Sequence, residues 1–379
     1  MALDAIVVGG GVVGASLAYH LAKLGLSTRL IDKHHEGRAT DAGAGILSPE
    51  TSGRNIEDWY RFGVTCVKYY SELIPNLESE QDSDTGYAMC GLLRVAVSDD
   101  EVEPFHKAQA LAFARQEANQ HPPKDELYTI TSDEARALFP ALAPSLGAFY
   151  HKTGARVDGR LLCQALINAG VHYGLDVQHA MVDSLIIDGN TITGVVVDGE
   201  PVYADKVAIA GGAWSPAFEE QLGVSIPVEP QRGQIIHLKL RDTDTSNWPV
   251  INGFRGHYMV TWDDGRVVVG ATRETGSGFT LGTSASGVRE VLDEALRVAP
   301  GLAEAELLEV RVGLRPYTTD ILPVLGTVPN MDNIYLATGH GPTGLQLGPY
   351  SGKVVADMMA GRPISDDLEP FHISRFTQE

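Results

Sequence analysis

The chain has 379 residues, and its 44% hydrophobic and 21% charged residues are typical of a folded globular protein with two or three domains. Its 29 basic and 49 acidic residues give a formal net charge of -20, which argues against a nucleic-acid partner and against attraction to an anionic membrane surface. The three cysteines lack CxxC spacing, so neither a disulfide framework nor a metal site is expected, and reduced thiols favour a cytoplasmic location. No signal-peptide pattern and no apolar run of transmembrane length is recognised.

The first predicted elements form one strand–helix–strand unit. An apolar strand over residues 5–8 leads into a run of glycines. Apolar residues then recur at helical spacing over 12–24, and a second strand over 28–31 ends at Asp32. Such a unit is the first half of a nucleotide-binding α/β fold.

A glycine motif lies in the first turn of this unit. Gly9, Gly11 and Gly14 have the GxGxxG spacing, which allows a tight turn, close approach of a pyrophosphate and close packing of the helix on the strand. Asp32 is placed to accept hydrogen bonds from a ribose diol. The motif predicts a bound dinucleotide and leaves NAD and FAD as alternatives.

The elements that follow mix helical and strand patterns. A loop of small residues over 39–50 precedes a helix over 56–73 that is expected to end at Pro75. Thr131 and Glu134 have the spacing of a capping box for a short helix. Further helices are predicted over 104–118, 161–173, 288–298 and 349–360, and further strands over 92–97, 177–197, 207–210, 235–240, 257–261, 266–271 and 334–337.

Two segments near the C terminus contain residues suited to bind a ligand. The glycine-rich loop over 338–345 precedes a helix, so backbone N–H groups and the helix N terminus can face a flat ring and stabilise negative charge on it. Arg315 lies in the segment Gly313-Leu314-Arg315-Pro316, where a rigid turn next to the proline suits a planar clamp for a carboxylate, although a surface or salt-bridge arginine is an equal alternative.

Taken together, these motifs resemble the FAD-dependent D-amino-acid oxidase superfamily, which includes glycine oxidases, sarcosine oxidases and D-amino-acid dehydrogenases. The resemblance covers nearly the whole chain. It is carried by the segments GGGVVGASLAYHLAKLG, ATDAGAGILSPE, VDGRLL, KVAIAGGAWS, PQRGQI, GLRPYTTDILPVLG and GHGPTGLQLGPYSG.

The resemblance implies FAD as the cofactor and a set of residues around it. Gly313 stands where sarcosine oxidases carry the cysteine that attaches FAD, so non-covalent binding is expected. The residues expected to contact FAD are Gly9, Gly11, Val12, Val13, Gly14, Asp32, Lys33, Thr40, Ala42, Gly43, Gly45, Ile46, Leu47, Val182, Ala210, Gly211, Trp214, Arg315, Gly339, Gly341, Thr343, Gly344, Leu345 and Gln346.

The resemblance also assigns the substrate residues. Arg315 matches the arginine that binds the substrate carboxylate, and Tyr258 matches the tyrosine that helps to hold it. His340 and Ser48 are further candidates for the catalytic site, and for both a purely structural loop role is an alternative.

The predicted fold class is α/β, with a Rossmann-type FAD-binding domain and an inserted α+β substrate domain built on an antiparallel sheet. Residues 1–78, 150–222 and 320–379 are expected to form the FAD-binding domain, and residues 79–149 and 223–319 the substrate-binding domain.

The predicted function is oxidation of a small amino acid, whether a D-amino acid, glycine or an N-methyl or other secondary amino acid, to the imino acid by hydride transfer to flavin N5. Oxidation of a 2-hydroxy acid with a base such as His340, a role as an FAD-binding subunit of a larger dehydrogenase, and a nicotinamide-dependent dehydrogenase are the alternatives. The electron acceptor is left open between oxygen, a quinone and a carrier protein, and a homo-oligomer is also left open.

Overall fold

The computed structural model describes residues 3–376. Its α-helices are α1 (Val12–Lys23), α2 (Glu57–Glu80), α3 (Asp99–Asn119), α4 (Ser132–Leu138), α5 (Gly159–His172), α6 (Glu219–Leu222), α7 (Ala285–Val298) and α8 (Gly344–Met359). Its strands are β1 (Leu3–Val8), β2 (Thr28–Ile31), β3 (Ile46–Leu47), β4 (Ala88–Met89), β5 (Leu92–Ala96), β6 (Leu127–Ile130), β7 (Gly147–His151), β8 (Ala155–Arg156), β9 (Asp176–Gln178), β10 (Val182–Asp188), β11 (Thr191–Val197), β12 (Glu200–Ile209), β13 (Glu229–Lys239), β14 (Val250–Asn252), β15 (Tyr258–Thr261), β16 (Arg266–Gly270), β17 (Glu306–Tyr317), β18 (Val324–Thr327) and β19 (Ile334–Thr338).

The first layer is an eight-stranded sheet in which five strands are parallel and β10, β11 and β18 join in antiparallel pairs. The five strands β9, β2, β1, β12 and β19 are hydrogen-bonded in that order, and every neighbouring pair among them is parallel. Ala5 and Val7 of β1 pack into a core shared with α1, α2 and α8, while Ile6 and Val8 pack into a second core that includes β10 and β11. Because both faces of β1 are covered, its sequence is a continuous apolar run rather than an alternating one.

A second sheet has eight strands in the order β17, β13, β16, β15, β14, β5, β7 and β6. All neighbours are antiparallel except β14 and β5, which are parallel. One face packs against α7 around Ile236, Val267 and Val269. A small antiparallel sheet of β3, β8 and β4 is separate from both.

These two sheets give the predicted fold class, an α/β unit with a parallel sheet joined to a mainly antiparallel sheet. The parallel strands come from residues 3–31, 176–178, 200–209 and 334–338, and the mainly antiparallel sheet from residues 92–151 and 229–317. This distribution supports the expected domain division as a proposal, although β7 runs two residues past the expected boundary at 149. Within residues 3–376, none of the helices has both the length and the apolar character needed to cross a membrane.

The predicted end of α2 at Pro75 is wrong, since the helix continues to Glu80. Pro75 removes only one backbone donor, and the turns on either side of it bury Leu73, Ile74 and Leu77. Burial of these side chains outweighs the loss of one helical hydrogen bond.

The predicted start of the last helix at Pro349 is also wrong, since α8 begins at Gly344. In an unbroken helix the N–H of residue 349 would bond the carbonyl of Leu345. The Tyr70 hydroxyl donates to that carbonyl instead. A side chain of α2 thus satisfies the acceptor that Pro349 leaves free, and the helix can begin a full turn earlier.

Candidate active site

A cavity of about 570 Å³ lies where the carboxyl ends of β1, β2, β12 and β19 face the antiparallel sheet. Ligands of open α/β sheets bind in the crevice outside the carboxyl ends of the strands. From the antiparallel sheet, Arg94, Asn252, Tyr258 and Arg315 reach the same cavity. The two sheets therefore contribute different walls to one site.

The GxGxxG turn has the backbone geometry that the sequence predicts. Gly9 has a φ of 102°, which favours glycine. A Cβ at Gly14 would lie 1.9 Å from the carbonyl oxygen of Gly9, so this glycine allows the helix to approach the strand. Gly11 caps α1 without any side-chain hydrogen bond, and the first turn of α1 contains no acidic residue. This helix N terminus therefore favours an anionic group such as a phosphate.

Asp32 lines the cavity at the end of β2, where it has an ion-pair partner. Its Oδ2 accepts from Nη1 of Arg38 at 2.8 Å, and Arg38 also contacts Asp41. The expected ribose contact of Asp32 stays a prediction. Nearby, His35 stacks on Trp214 with ring centroids 4.5 Å apart, which places an aromatic surface on the cavity wall.

The glycine loop before α8 forms another part of the wall. Gly339 and Gly341 have φ values of 74° and 51°, and the cap residue Thr343 makes no side-chain hydrogen bond to the helix. His340 is 2% exposed, and its Nε2 has no hydrogen-bond partner within residues 3–376. Burial lowers the pKa of the His340 imidazole to about 3, so the ring is neutral at pH 7.

Arg315 and Tyr258 lie flat over glycines of neighbouring strands. A Cβ at Gly233 would lie 2.5 Å from the Arg315 guanidinium, and one at Gly270 would lie 2.9 Å from the Tyr258 hydroxyl. Nη1 of Arg315 donates to the carbonyl of Thr272 at 3.0 Å. Burial lowers the pKa of Arg315 and raises that of Tyr258, while their mutual contact favours the charged guanidinium. The pair presents a fixed cation and a phenol to the cavity.

Ser48 also lines the cavity, and its hydroxyl belongs to a buried network. Ser48 Oγ lies 2.8 Å from Nδ1 of His151, whose Nε2 lies 3.1 Å from the hydroxyl of Thr153. That hydroxyl donates to Glu126 at 3.0 Å. The network fixes the orientation of the Ser48 hydroxyl. The catalytic role predicted for Ser48 stays a prediction, and it would consist of a contact from this hydroxyl to a ligand in the cavity.

Most of the residues that the sequence predicts for the site meet at this cavity. They are Gly9, Gly11, Val12, Val13, Asp32, Lys33, Thr40, Ala42, Gly43, Gly45, Ile46, Ser48, Val182, Ala210, Gly211, Trp214, Tyr258, Arg315, His340, Gly341, Thr343, Gly344, Leu345 and Gln346.

Three predicted cofactor residues lie off the cavity wall. Gly14 packs against β1, as described above. The Leu47 side chain is fully buried in a hydrophobic core, because its strand pairs with β8. A Cβ at Gly339 would lie 2.8 Å from Thr318, so this glycine turns the chain next to another segment. None of the three gives a side chain to the site.

The sequence reasoning missed four arginines on the wall: Arg38, Arg54, Arg94 and Arg273. For Arg94 a signal existed, because it is the one charged residue in the otherwise apolar and fully buried strand β5. Arg54 and Arg273 lie in polar loops, where an arginine is ordinary and carries no signal.

A dinucleotide with a flat ring system fits these residues. The N termini of α1 and α8 border the cavity, and at α1 only the Val12 N–H has a side-chain partner, Thr40 Oγ1 at 3.1 Å. His340 and Gln346 each have a buried nitrogen without a partner in the described chain. None of the three cysteines lines the cavity within the described range, and Gly313 lies on its wall. The residues present thus suit a cofactor held by hydrogen bonds and packing.

Comparisons with known proteins agree with this site. The family model for FAD dependent oxidoreductases matches residues 4–358. The chain is 39% identical over 367 residues to an uncharacterized oxidoreductase of Bacillus subtilis, with 97% of both chains covered. It is 30% identical to a glycine oxidase of Pseudomonas aeruginosa, again with 97% of both covered.

A solved structure gives the same result. The crystal structure of iminodiacetate oxidase from Chelativorans sp. BNC1 superposes with a TM-score of 0.92 at 37% identity, covering 97% of this chain and 98% of that one. The predicted FAD cofactor and the predicted fold are confirmed by this family membership. The chain therefore belongs to the FAD-dependent oxidoreductase family whose model spans nearly its whole length.

Proposed function

We propose that this protein oxidises a small amino acid whose α-carboxylate is bound by Arg315, with FAD as the acceptor of two electrons. The observation that carries the proposal is the placement of Arg315 and Tyr258 over two glycines, on the wall of the cavity that the GxGxxG turn also lines. A planar guanidinium held in this way matches a carboxylate with two hydrogen bonds.

The relatives support an amine substrate. A glycine oxidase and an iminodiacetate oxidase are named for amino acids that differ in the group on nitrogen, and both cover almost the whole chain. We therefore propose that the bond to be oxidised is the C–N bond of a primary or secondary amine next to a carboxylate.

The protein's own residues bind, orient and balance charge. Arg315 and Tyr258 hold the carboxylate, and this fixes the position of the adjacent Cα–H. The N terminus of α8 favours negative charge that develops nearby. Bound FAD supplies the hydride acceptor for this chemistry.

The neutral state of His340 favours amine over alcohol oxidation. A 2-hydroxy acid needs a base to remove the hydroxyl proton, and a histidine whose pKa is lowered to about 3 is a weak base. An amine can use its own lone pair once it is deprotonated. The partnerless Nε2 of His340 is better suited to hydrogen-bond cofactor or substrate.

The test is an anaerobic screen of flavin reduction with D- and L-amino acids, glycine, sarcosine, proline and the matching 2-hydroxy acids. We expect bleaching of the flavin absorbance by one class of amines and none by the hydroxy acids. Bleaching by hydroxy acids alone would favour the alternative chemistry, and bleaching by no compound would favour a binding subunit.

The reduced flavin must pass its electrons to an acceptor, which is oxygen, a quinone or a carrier protein. Mixing the reduced protein with oxygen, then with a soluble quinone, separates an oxidase from a dehydrogenase by the rate of flavin reoxidation. A carrier protein is indicated if neither reoxidises it. The three free cysteines support a reducing, cytoplasmic location.

A further inference from the structure

Arginines are concentrated on one side of the cavity, although the whole chain has a formal net charge of -20. Besides Arg315, four arginines line it: Arg38, Arg54, Arg94 and Arg273. Asp32 is the one carboxylate residue on the cavity wall within the described part of the chain, and it is already paired with Arg38. Near Tyr258 the described wall therefore carries guanidinium groups and no carboxylate, and Glu274, which acts on Arg315 from behind the wall, is already paired with Arg232.

Arg94 is the most deeply buried of these arginines. Its residue is 8% exposed, its Nη1 donates to the carbonyl of Thr51 at 3.0 Å, and its Nε has no partner in the described chain. Its guanidinium lies 4.3 Å from the ring centroid of Phe254. A buried cation without an anion is costly to keep, since neither water nor a counter-charge compensates it.

Arg54 and Arg273 add to the same charge. The guanidinium of Arg54 lies 4.7 Å from the ring centroid of Trp59, and none of the ion pairs formed by residues 3–376 includes Arg54, Arg94 or Arg273. Burial and, next, repulsion by Arg273 lower the pKa of Arg54 to about 10, and burial lowers that of Arg94 to about 10. Arg54 and Arg94 remain charged at pH 7, and an anion bound beside them would relieve both the cost of burial and the repulsion by Arg273.

Several arginines outside the cavity have a carboxylate partner. Arg255 contacts Asp100 and Glu294, and Arg297 contacts Glu101. Each has its carboxylate partner on a neighbouring element. Arg54, Arg94 and Arg273 form no ion pair within residues 3–376. The buried Arg115 and Arg156 also lack a carboxylate partner, but they bond backbone carbonyls away from the cavity, whereas the first three line it and can receive an anion from a ligand.

The strand register fixes where this charge lies relative to the first carboxylate site. Arg94 is paired with Asn252, and Asn252 with Tyr258, so these residues share one face of the sheet. Two strand spacings place the backbones of Arg94 and Tyr258 roughly 10 Å apart. Two long side chains can close most of this distance around a small molecule. A ligand with its first carboxylate on Arg315 and Tyr258 can therefore present a second one to Arg94.

We propose that Arg54, Arg94 and Arg273 form a second carboxylate subsite, which makes an amino acid with two carboxylates the preferred substrate. The second carboxylate is carried either on the nitrogen substituent, as in iminodiacetate, or on the side chain, as in aspartate. This inference rests on the proposed amine oxidation for its kinetic test, but not for its binding test.

The kinetic test compares substrates that differ only in the second carboxylate. Iminodiacetate and sarcosine share the N-substituted glycine core, and D-aspartate and D-alanine share the α-carbon. We expect kcat/KM to be about 100-fold higher for the dicarboxylate of the preferred pair, since a hydrogen-bonded charge contributes this order of discrimination. In Arg273→Met and Arg94→Met this ratio falls about 30-fold. Arg289 is an exposed surface residue outside the cavity, so the control variant Arg289→Met is expected to keep the wild-type ratio.

The binding test needs no turnover. Calorimetric titration of the purified holoprotein with glutarate and with butyrate compares two inert acids, and we expect glutarate to bind at least 10-fold more tightly. Arg94→Met can misfold, because Arg94 donates a hydrogen bond to the carbonyl of Thr51. Arg94→Lys keeps a positively charged donor at this position, and Arg273→Met changes an exposed position, so both variants are expected to fold. In Arg273→Met, the advantage of glutarate shrinks.

The outcomes separate the two proposals. Tighter binding of glutarate without flavin reduction by any amine supports the subsite and overturns the amine oxidation. Flavin reduction with equal kcat/KM for both members of both pairs, with glutarate and butyrate binding equally, overturns the subsite and leaves the amine oxidation standing.

Discussion

Arg315 shows how one side chain depends on the absence of another. Its guanidinium lies across Gly233 of the neighbouring strand, at a place where any Cβ would collide with it. Gly233 is therefore required because the guanidinium occupies the space of a Cβ, and not because of its backbone conformation, since its φ is not positive. A sequence contains both residues but not the fact that they touch.

Replacing Arg315 by leucine is expected to raise KM for carboxylate substrates about 30-fold, because a charge-assisted pair of hydrogen bonds is lost. The flavin absorbance of the purified variant should stay close to that of the wild type. Steady-state kinetics and the visible spectrum measure the two effects. A variant with unchanged KM would remove Arg315 from the carboxylate site.

Replacing Gly233 by alanine tests the position of the guanidinium without removing its charge. The added methyl group would lie 2.5 Å from it and displace it, so we expect KM to rise roughly 10-fold, with a smaller change in kcat. Gly282→Ala is the matched control, since a Cβ there meets no atom within 4 Å in the described chain. Equal kinetics for both variants would contradict the contact.

At the scale of elements, local signals predicted the strand–helix–strand unit well. The limits of β2 agree with the prediction, and those of α1 differ by one residue, because glycines and apolar spacing mark these ends within the segment itself. The same reasoning failed at Pro75 and Pro349, where contacts from other elements decide. In α8 the deciding contact comes from Tyr70, which is 275 residues away in the chain from Leu345.

Replacing Tyr70 by phenylalanine should therefore destabilise the packing of α8 on α2. The Leu345 carbonyl would lose its donor while staying buried, which costs about 1–2 kcal/mol of unfolding free energy. Denaturant unfolding measures this loss. Tyr203→Phe, at an exposed tyrosine, serves as the control and should change stability by much less. A loss no larger than that of the control would show that Pro349 needs no substitute partner.

At the scale of the whole molecule, buried histidines link stability to pH. Burial lowers the pKa of His237 and His20 to about 4 and that of His340 to about 3. In the unfolded chain a histidine has a pKa near 6.5. Between these values the unfolded state binds more protons, so stability is complete above pH 6.5 and falls as the pH decreases.

His237 is suited to isolate this effect because it lies outside the cavity. Its ring faces Glu309 at 3.8 Å, which favours the charged form, and Arg311, Arg266 and Arg160, which oppose it. We expect the wild type to lose about 1–2 kcal/mol more stability than His237→Leu between pH 6.5 and 5. Denaturant unfolding at both pH values measures the difference, and His106→Leu, at an exposed position, should retain the wild-type slope. If the unfolding free energies of the wild type and His237→Leu fell equally between the two pH values, His237 would not contribute to the pH dependence of stability.

The sequence by itself determined the dinucleotide turn and the α/β character, because glycine spacing and apolar periodicity act over a few residues. Only the tertiary structure decided which arginines share a cavity. Arg54, Arg94 and Arg273 come from a loop, a buried strand and the segment after another strand. Their charges can act on one ligand only because the fold brings them to the same cavity. Electrostatic interaction depends on distance in space and on burial, and neither quantity is written in the order of residues along the chain.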